Sequence, residues 1–191
     1  MTVVASLLLA LGLADPFPPP ADHLLNPDFD TGMGDWRYYL DRGAGGRLEW
    51  DAVRGAPAAG SARAGNIFHG DRYDHWGQCV KLAPGAFTLS AQVASQLAAG
   101  NRCELRIAVM NAPDCNTTAL PVRDITATNT LNDGTFETVT IADVAPASAG
   151  AAWVFLSHRR VAAAPHGDSW CNYDHVELVG NAVFRSGFDA Q

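Results

Sequence analysis

Residues 87–93 place Phe87, Leu89, Ala91 and Val93 on alternate positions, and residues 103–109 do the same with Cys103, Leu105, Ile107 and Val109. Strand side chains repeat every two residues, so each run puts its apolar set on one face and its polar set on the other. A chain built from such runs must bury one face of a sheet, and it cannot do so as helices. Gln78 to Leu82 alternates in the same way, and Pro84-Gly85 turns it into the next run. Shorter stretches at Leu48–Trp50, Ile125–Thr128, Phe136–Val144, Trp153–Arg159 and Tyr173–Val179 carry the same signal. Turn-type segments separate them: Asn111–Asp114, Asn132–Gly134, Ala145–Gly150 and Pro165–Asp168. Ala94–Ala99 could form a helical turn but is too short to alter the class. About eight short strands at this spacing predict an all-β, two-sheet antiparallel β-sandwich.

Length and composition narrow the function. At 191 residues the chain is expected to form a single domain, long enough to bury a core of its own. Hydrophobic residues at 48% and charged residues at 17% exclude a disordered tail or a coiled coil. A net charge of -7 argues against nucleic acid or an anionic membrane as partner. Twelve of the 13 basic residues are arginine, Lys81 being the lysine, which with the abundant alanine and glycine suggests a GC-rich bacterial genome.

Val3 to Leu13 is an apolar run with the length of a signal-peptide core, followed by small residues, so 1–14 are expected to be a signal peptide. The run is too short to span a bilayer. Pro16, Pro18, Pro19 and Pro20 make 15–23 a stiff spacer that cannot join a sheet. The sandwich is expected over 24–180, with 181–191 as a tail. A secreted or periplasmic, cell-surface location suits the four cysteines, an even set with no C-x-x-C pair. Four cysteines allow three pairings and the sequence does not choose among them; the expectation carried forward is Cys79–Cys171 with Cys103–Cys115. Asn116-Thr117-Thr118 matches a glycosylation sequon, which in a bacterial chain reads as chance.

Three segments together are similar to a known family. Leu25-Asn26-Pro27-Asp28-Phe29-Asp30-Thr31-Gly32, followed by Trp36, resembles the N-P-x-F-E-x-G…W opening of CenC-type carbohydrate-binding modules, which belong to the galactose-binding-like jelly rolls. The run from Gln78 through Val80, Leu82, Pro84-Gly85 and Phe87 to Ser90 is similar to their central hairpin. Tyr173-Asp174-His175-Val176-Glu177-Leu178 resembles their closing strand, with His175 where they carry a second acid. The resemblance implies glycan binding without catalysis. It also implies a structural Ca2+ held by acids of the opening and closing motifs, here Asp30 and Asp174. Parity with Val176 and Leu178 points Asp174 toward the core, where a carboxylate needs a cation or several donors. The segment Val183 to Asp189 resembles a short tail of exported proteobacterial proteins.

Two loops carry the residues suited to a sugar. Phe68–Trp76 contains His69, Asp71, Arg72, Tyr73 and Trp76; His166–Trp170 contains His166, Asp168 and Trp170. If consecutive strands alternate in direction, both loops emerge at one end of the sandwich. There Asp and His would bond hydroxyls and Tyr73, Trp76 or Trp170 would stack on a ring. Trp50 could instead face a groove across one sheet.

Catalytic signals are weak. No H-E-x-x-H or G-x-S-x-G occurs, Ser90 and Ser157 lie in strands, and Asp71 with Asp168 is one of many possible acid pairs. The expected function is a non-catalytic module that binds a polysaccharide or surface glycan. The alternatives are a structural or protein-interaction sandwich at the cell surface and a small metal-dependent hydrolase. An exposed, coplanar aromatic pair would favour the first.

Overall fold

A computed structural model describes residues 24–40, 46–66, 72–115, 120–160 and 169–180. It contains ten strands: β1 (Arg37–Leu40), β2 (Gly46–Asp51), β3 (Ser61–Asn66), β4 (Arg72–Lys81), β5 (Gly85–Gln96), β6 (Asn101–Met110), β7 (Arg123–Thr128), β8 (Phe136–Ala145), β9 (Ala151–Arg160) and β10 (Trp170–Gly180). They form two antiparallel sheets of five, ordered β1-β4-β9-β6-β7 and β2-β3-β10-β5-β8. The all-β sandwich read from the alternation is what the chain adopts. The Ala94–Ala99 stretch begins as the end of β5 and not as a helical turn.

All eight expected strands are present, and two more were not legible. β3 reads Ser-Ala-Arg-Ala-Gly-Asn, with no large apolar residue to announce it. Ala62 and Ala64 nevertheless face the core and are fully buried. Their small size suits the Trp76 indole, which crosses from the other sheet and donates from Nε1 to the Arg63 carbonyl at 3.2 Å. β1 is short and follows a turn-rich stretch, so its alternation has too little length to register.

The core between the sheets comes from the alternate positions already named, with Val139, Ile141, Val154, Leu156 and Tyr173. Tyr173 crosses the interior and donates its hydroxyl to the Ser157 carbonyl. The opening motif closes one end of the sandwich. The Leu25 amide donates to Gln78 Oε1 at 2.7 Å, and Gln78 Nε2 returns a bond to the Leu25 carbonyl at 3.0 Å. Trp36 packs on Phe29 with ring centroids 5.4 Å apart, and its Nε1 donates to the Leu25 and Asn26 carbonyls. The motif residues Asn26, Phe29, Trp36 and Gln78 therefore hold the fold together.

The disulfides are Cys79–Cys115 and Cys103–Cys171, which corrects the expected pairing. Parity explains the outcome. Cys103 and Cys171 both point inward, from β6 and β10, and bridge the two sheets through the core. Cys79 lies between the buried Gln78 and Val80 on β4 and so points outward, away from Cys171. It instead pins the loop after β6 onto the outer face of its own sheet. Beside it, Trp153 Nε1 donates to the Cys115 carbonyl at 2.8 Å.

A second correction concerns Asp174. Between Asp174 and Glu177 the β10–β5 register slips by a bulge, with Asp174 opposite Gln92 and Glu177 opposite Ser90. The extra residue reverses the parity, and His175 takes φ +46° to accommodate it. Asp174 consequently shares the outer face of the second sheet with Trp170 and Asn172, and it is buried there by the 52–60 loop.

Candidate functional site

The two loops expected to form a rim are framed by strand ends at the same end of the sandwich. Arg72 is opposite Arg160, Asn101 is also opposite Arg160, and Trp170 pairs with Gly65 and Gln96. His69, Asp71, His166 and Asp168 lie outside the described residues, and for Arg72 and Tyr73 the strand position alone is described. The two tryptophans, however, are not platforms. Trp76 points into the core, and Trp170 is buried on the outer side of its sheet. The Arg54 guanidinium covers Trp170 at 4.3 Å from its centroid and Arg63 lies at 5.4 Å. Both were read as stacking residues because a tryptophan beside loop polar groups looks alike in sequence whether it plugs a core or lines a groove. Trp50 is 39% exposed, but its Nε1 is tied to the Phe29 carbonyl at 2.7 Å at the edge of the sandwich.

The arrangement best suited to a ligand is the outer face of the β1-β4-β9-β6-β7 sheet. Its register sets side chains in rows. One row runs His75, Ser157, Glu104, Thr128; the next runs Arg37, Gly77, Phe155, Arg106, Thr126. Toward one end of the strands the face is closed by the loop that Cys115 anchors, so that Trp153, Ala108, Ala151 and Met110 are buried. Toward the other end His75, Phe155, Arg106, Arg102 and Arg159 are partly exposed, while Ser157 and Glu104 in the row between them are buried.

Phe155 sits at the boundary. It stacks on the buried Trp153 with ring planes 14° apart and centroids 5.6 Å apart. The His75 ring meets it edge-on at 4.7 Å, and the Arg106 guanidinium lies 5.3 Å from its centroid. Arg106 is in turn held by a two-pronged bond to Asp124 at 2.7 and 2.6 Å. A partly exposed ring fixed on all sides is a low-entropy surface for an apolar sugar face, with guanidinium and imidazole groups beside it for hydroxyls. The exposed, coplanar aromatic pair that would favour a sugar platform is not what β9 offers: Phe155 is partly exposed, but the Trp153 stacked on it is buried. Sequence could have found this stack: Trp153 and Phe155 are two apart on a strand, and Arg106 is opposite Phe155 once β6 and β9 are paired.

The candidate acids of the opening and closing motifs meet at the other end of the fold. Asp174 accepts from the Ala56 amide at 2.6 Å and from the His175 amide at 2.7 Å. Burial pushes its carboxyl up to about 6; the two amide bonds oppose this, and Asp28 and Asp30 add to it. Asp30 is exposed. His175, in the position of the missing second acid, bonds Asp28 at 2.7 Å, which raises the imidazole pKa. Among the described residues no three His, Cys, Asp or Glu side chains converge as a metal site. Main-chain oxygens do converge: the Ala58 and Gly60 carbonyl oxygens and Asp174 Oδ2 all crowd the position a Cβ on Gly55 would take. The groove between Ala86–Thr88, Ala142–Val144 and Val179–Gly180 offers no exposed aromatic ring, and its Asp143 is engaged by Arg123.

The fold is similar to that of several carbohydrate-binding modules and adhesin domains. TmCBM61, solved in complex with β-1,4-galactotriose, superposes with a TM-score of 0.55 at 14% identity, over 82% of this chain and 97% of that one. The CBM22-2 xylan-binding domain of Paenibacillus barcinonensis Xyn10C superposes at 0.54 with 17% identity, over 81% and 98%. The K1 cleaved adhesin domain of Lys-gingipain from Porphyromonas gingivalis superposes at 0.51 with 16% identity, over 81% and 96%. No family model and no curated protein sequence matches the chain. Identities this low establish the shared fold. No helix of the described residues is long and apolar enough to cross a membrane.

Proposed function

We propose that this chain is an exported, non-catalytic glycan-binding module of the CenC-like kind, and that its sugar site is the outer face around Phe155. The single observation that carries the reading is the partly exposed Phe155 ring, braced by Trp153 and flanked by His75 and Arg106 on the outer sheet face. The fold shared with carbohydrate-binding modules supports it. Two disulfides fit an oxidising compartment outside the cytoplasm. The gingipain adhesin neighbour favours a second reading, a protein-interaction sandwich at the cell surface, which the same experiment separates.

The full chain is to be titrated with soluble polysaccharides and applied to a glycan array, alongside Phe155→Ala. Loss of stacking is expected to weaken binding by about tenfold or more, since an aromatic contact of this kind contributes roughly 0.5–1.5 kcal/mol beyond its buried area. Circular dichroism and the melting midpoint should stay near those of the parent, because Trp153 keeps the underlying layer closed. Undiminished binding by the variant would remove this face from consideration. Silence across all glycans would favour the adhesin-type reading.

Calcium belongs to the same proposal. Asp174, the Ala58 and Gly60 carbonyls and the adjacent Asp30 supply the hard oxygen donors such an ion takes. They would join the opening motif, the 52–60 loop and β10, which gives the ion a structural role. At a calcium concentration about 100 times the dissociation constant, the fold would gain about 2.7 kcal/mol. That corresponds to a rise of roughly 5–10 °C in midpoint for a domain of this size. Differential scanning with calcium and with a chelator measures it; Asp174→Asn should abolish the difference. Equal midpoints in the parent chain under both conditions would dismiss the ion.

A further inference from the structure

Of the four edge strands of the sandwich, three are blunted and one is not. β1 has four residues, and β2 and β7 have six each. β2 repeats charge on one face as Arg47, Glu49 and Asp51, and β7 opens with Arg123-Asp124. Shortness and charge are common means by which an edge refuses a further strand. β8 is the exception. It runs ten residues in unbroken register with β5, without lysine, proline or bulge, and among the described residues nothing pairs with its outer edge.

The side chains of β8 leave that edge accessible. Thr138, Thr140, Ala142 and Val144 are exposed on the outer face and uncharged. Val144 is 60% exposed and borders the apolar groove that Val179 and Gly180 also line. Both acids of the strand are engaged within the chain. Glu137 receives the Thr130 and Leu131 amides, and Asp143 is held by Arg123. Alongside, Ile125 and Ala127 of β7 pack against the core and yet are only partly buried, so this side of the sandwich is not closed.

The edge is complementary to itself. Two copies of one strand related by a two-fold axis normal to the sheet pair antiparallel, as all the strand pairs of this fold do. Directly opposed residues share a face, so the axis must fall on a residue. Centred on Ile141, the pairing covers 137–145 and sets Thr140 opposite Ala142 and Asp143 opposite Val139. Centred on Thr140, it would set Glu137 opposite Asp143, which like charge disfavours. Ten residues extend about 34 Å, and two sheets about 10 Å apart with their outer side chains make a wall about 20 Å wide, up to roughly 700 Å2 per copy. Stable interfaces bury about 800 Å2 per partner.

We propose that β8 is the interface of a homodimer, two copies pairing β8 with β8 about Ile141 and extending the β2-β3-β10-β5-β8 sheet into one of ten strands. An axis normal to the sheet turns neither copy over, so both Phe155 faces point the same way. On the glycan-binding reading, the pair is then a bivalent binder of a polymer.

Sedimentation equilibrium of the full chain from about 1 to about 100 μM should reach twice the chain mass. Thr140→Lys with Ala142→Lys, and separately Thr140→Glu with Ala142→Glu, place like charges directly opposite across the dimer, so each variant should stay at single mass. Both positions are exposed, and circular dichroism of the variants should match the parent. Mixed in equal amounts, the two variants should recover the double mass, because lysines then face glutamates. On an immobilised polysaccharide the parent should bind about tenfold or more tighter than the lysine variant, with equal affinity for a short oligosaccharide in solution.

Single mass for the parent up to about 100 μM would overturn the proposal. A double mass that survives in both charged variants would also do so, since the contact would lie elsewhere, as would a mixture that stays at single mass. Equal retention of parent and lysine variant on the polysaccharide would overturn the bivalent arrangement alone. Sedimentation requires no sugar, so the expected masses without binding to any glycan would overturn the glycan reading and leave the dimer standing.

Discussion

Replacing Cys103 and Cys171 together by alanine is expected to lower the unfolding free energy by about 4 kcal/mol, the chain-entropy value for a cross-link closing a loop of this length. The bridge spans a sequence separation of 68 and joins the two sheets through the core. Its loss leaves β10 held by hydrogen bonds to β3 and β5 and by apolar packing against the facing sheet. A reduction of that size corresponds to roughly 8–16 °C in midpoint for a domain of this length. Urea denaturation of the parent and the double variant measures it, and peptide mapping of the unreduced chain should recover Cys103 joined to Cys171. A midpoint within about 2 °C of the parent would mean that packing alone fixes the two sheets. The Cys79–Cys115 bridge acts elsewhere. Removing it should release the loop that roofs Trp153 and so disturb the Phe155 face more than a comparable loss of stability would.

Acidification in the presence of a chelator is expected to act on the fold through two buried groups with opposite signs. His158 is buried between the sheets with Nε2 2.9 Å from Ser169 Oγ. Burial, reinforced by Arg160, lowers its pKa to about 4. The unfolded chain binds that proton near pH 6.5, so stability is present above this value and is lost as pH falls from about 6.5 toward 4, by on the order of 3 kcal/mol. Asp174 does the reverse. Its folded value of about 6 lies above that of the unfolded carboxyl. The fold therefore takes up the proton first and gains on the order of 3 kcal/mol as pH falls from about 6 through 4.

The parent should accordingly show a shallow profile over this interval. Asp174→Asn should expose the loss due to His158, and His158→Gln should show a gain on acidification. Denaturation midpoints at half-unit pH steps decide the matter. Parallel profiles for all three proteins would mean that neither group keeps its folded-state shift.

The strand pattern was legible because apolar alternation is a local property that any half-buried strand must display. Phe87 to Val93 and Cys103 to Val109 could hardly have been placed otherwise. β3 escaped because its inward positions are alanines, chosen by the size of Trp76 across the core. The roles of the motif residues were similarly hidden. Gln78 and Trp36 resemble family positions, and only their mutual bonds with Leu25 reveal that they fasten the opening segment to β4.

At the level of the site, chemistry was visible and location was not. Aromatic and polar residues adjacent in the chain, as around Trp76 and Trp170, are conspicuous in sequence. A sheet face is assembled from residues distant in the chain: Phe155, His75 and Arg106 become neighbours through the order β4-β9-β6. The bulge after Asp174 shows how far one residue matters, since a single insertion reverses every later side chain in the strand. Sequence alone determined that this chain must be a two-sheet sandwich, because period-two burial follows from backbone geometry and solvent. Tertiary structure alone decided which cysteines meet, which tryptophans are plugs and which face collects the arginines. Those outcomes depend on strand register, and register is settled by packing across both sheets at once.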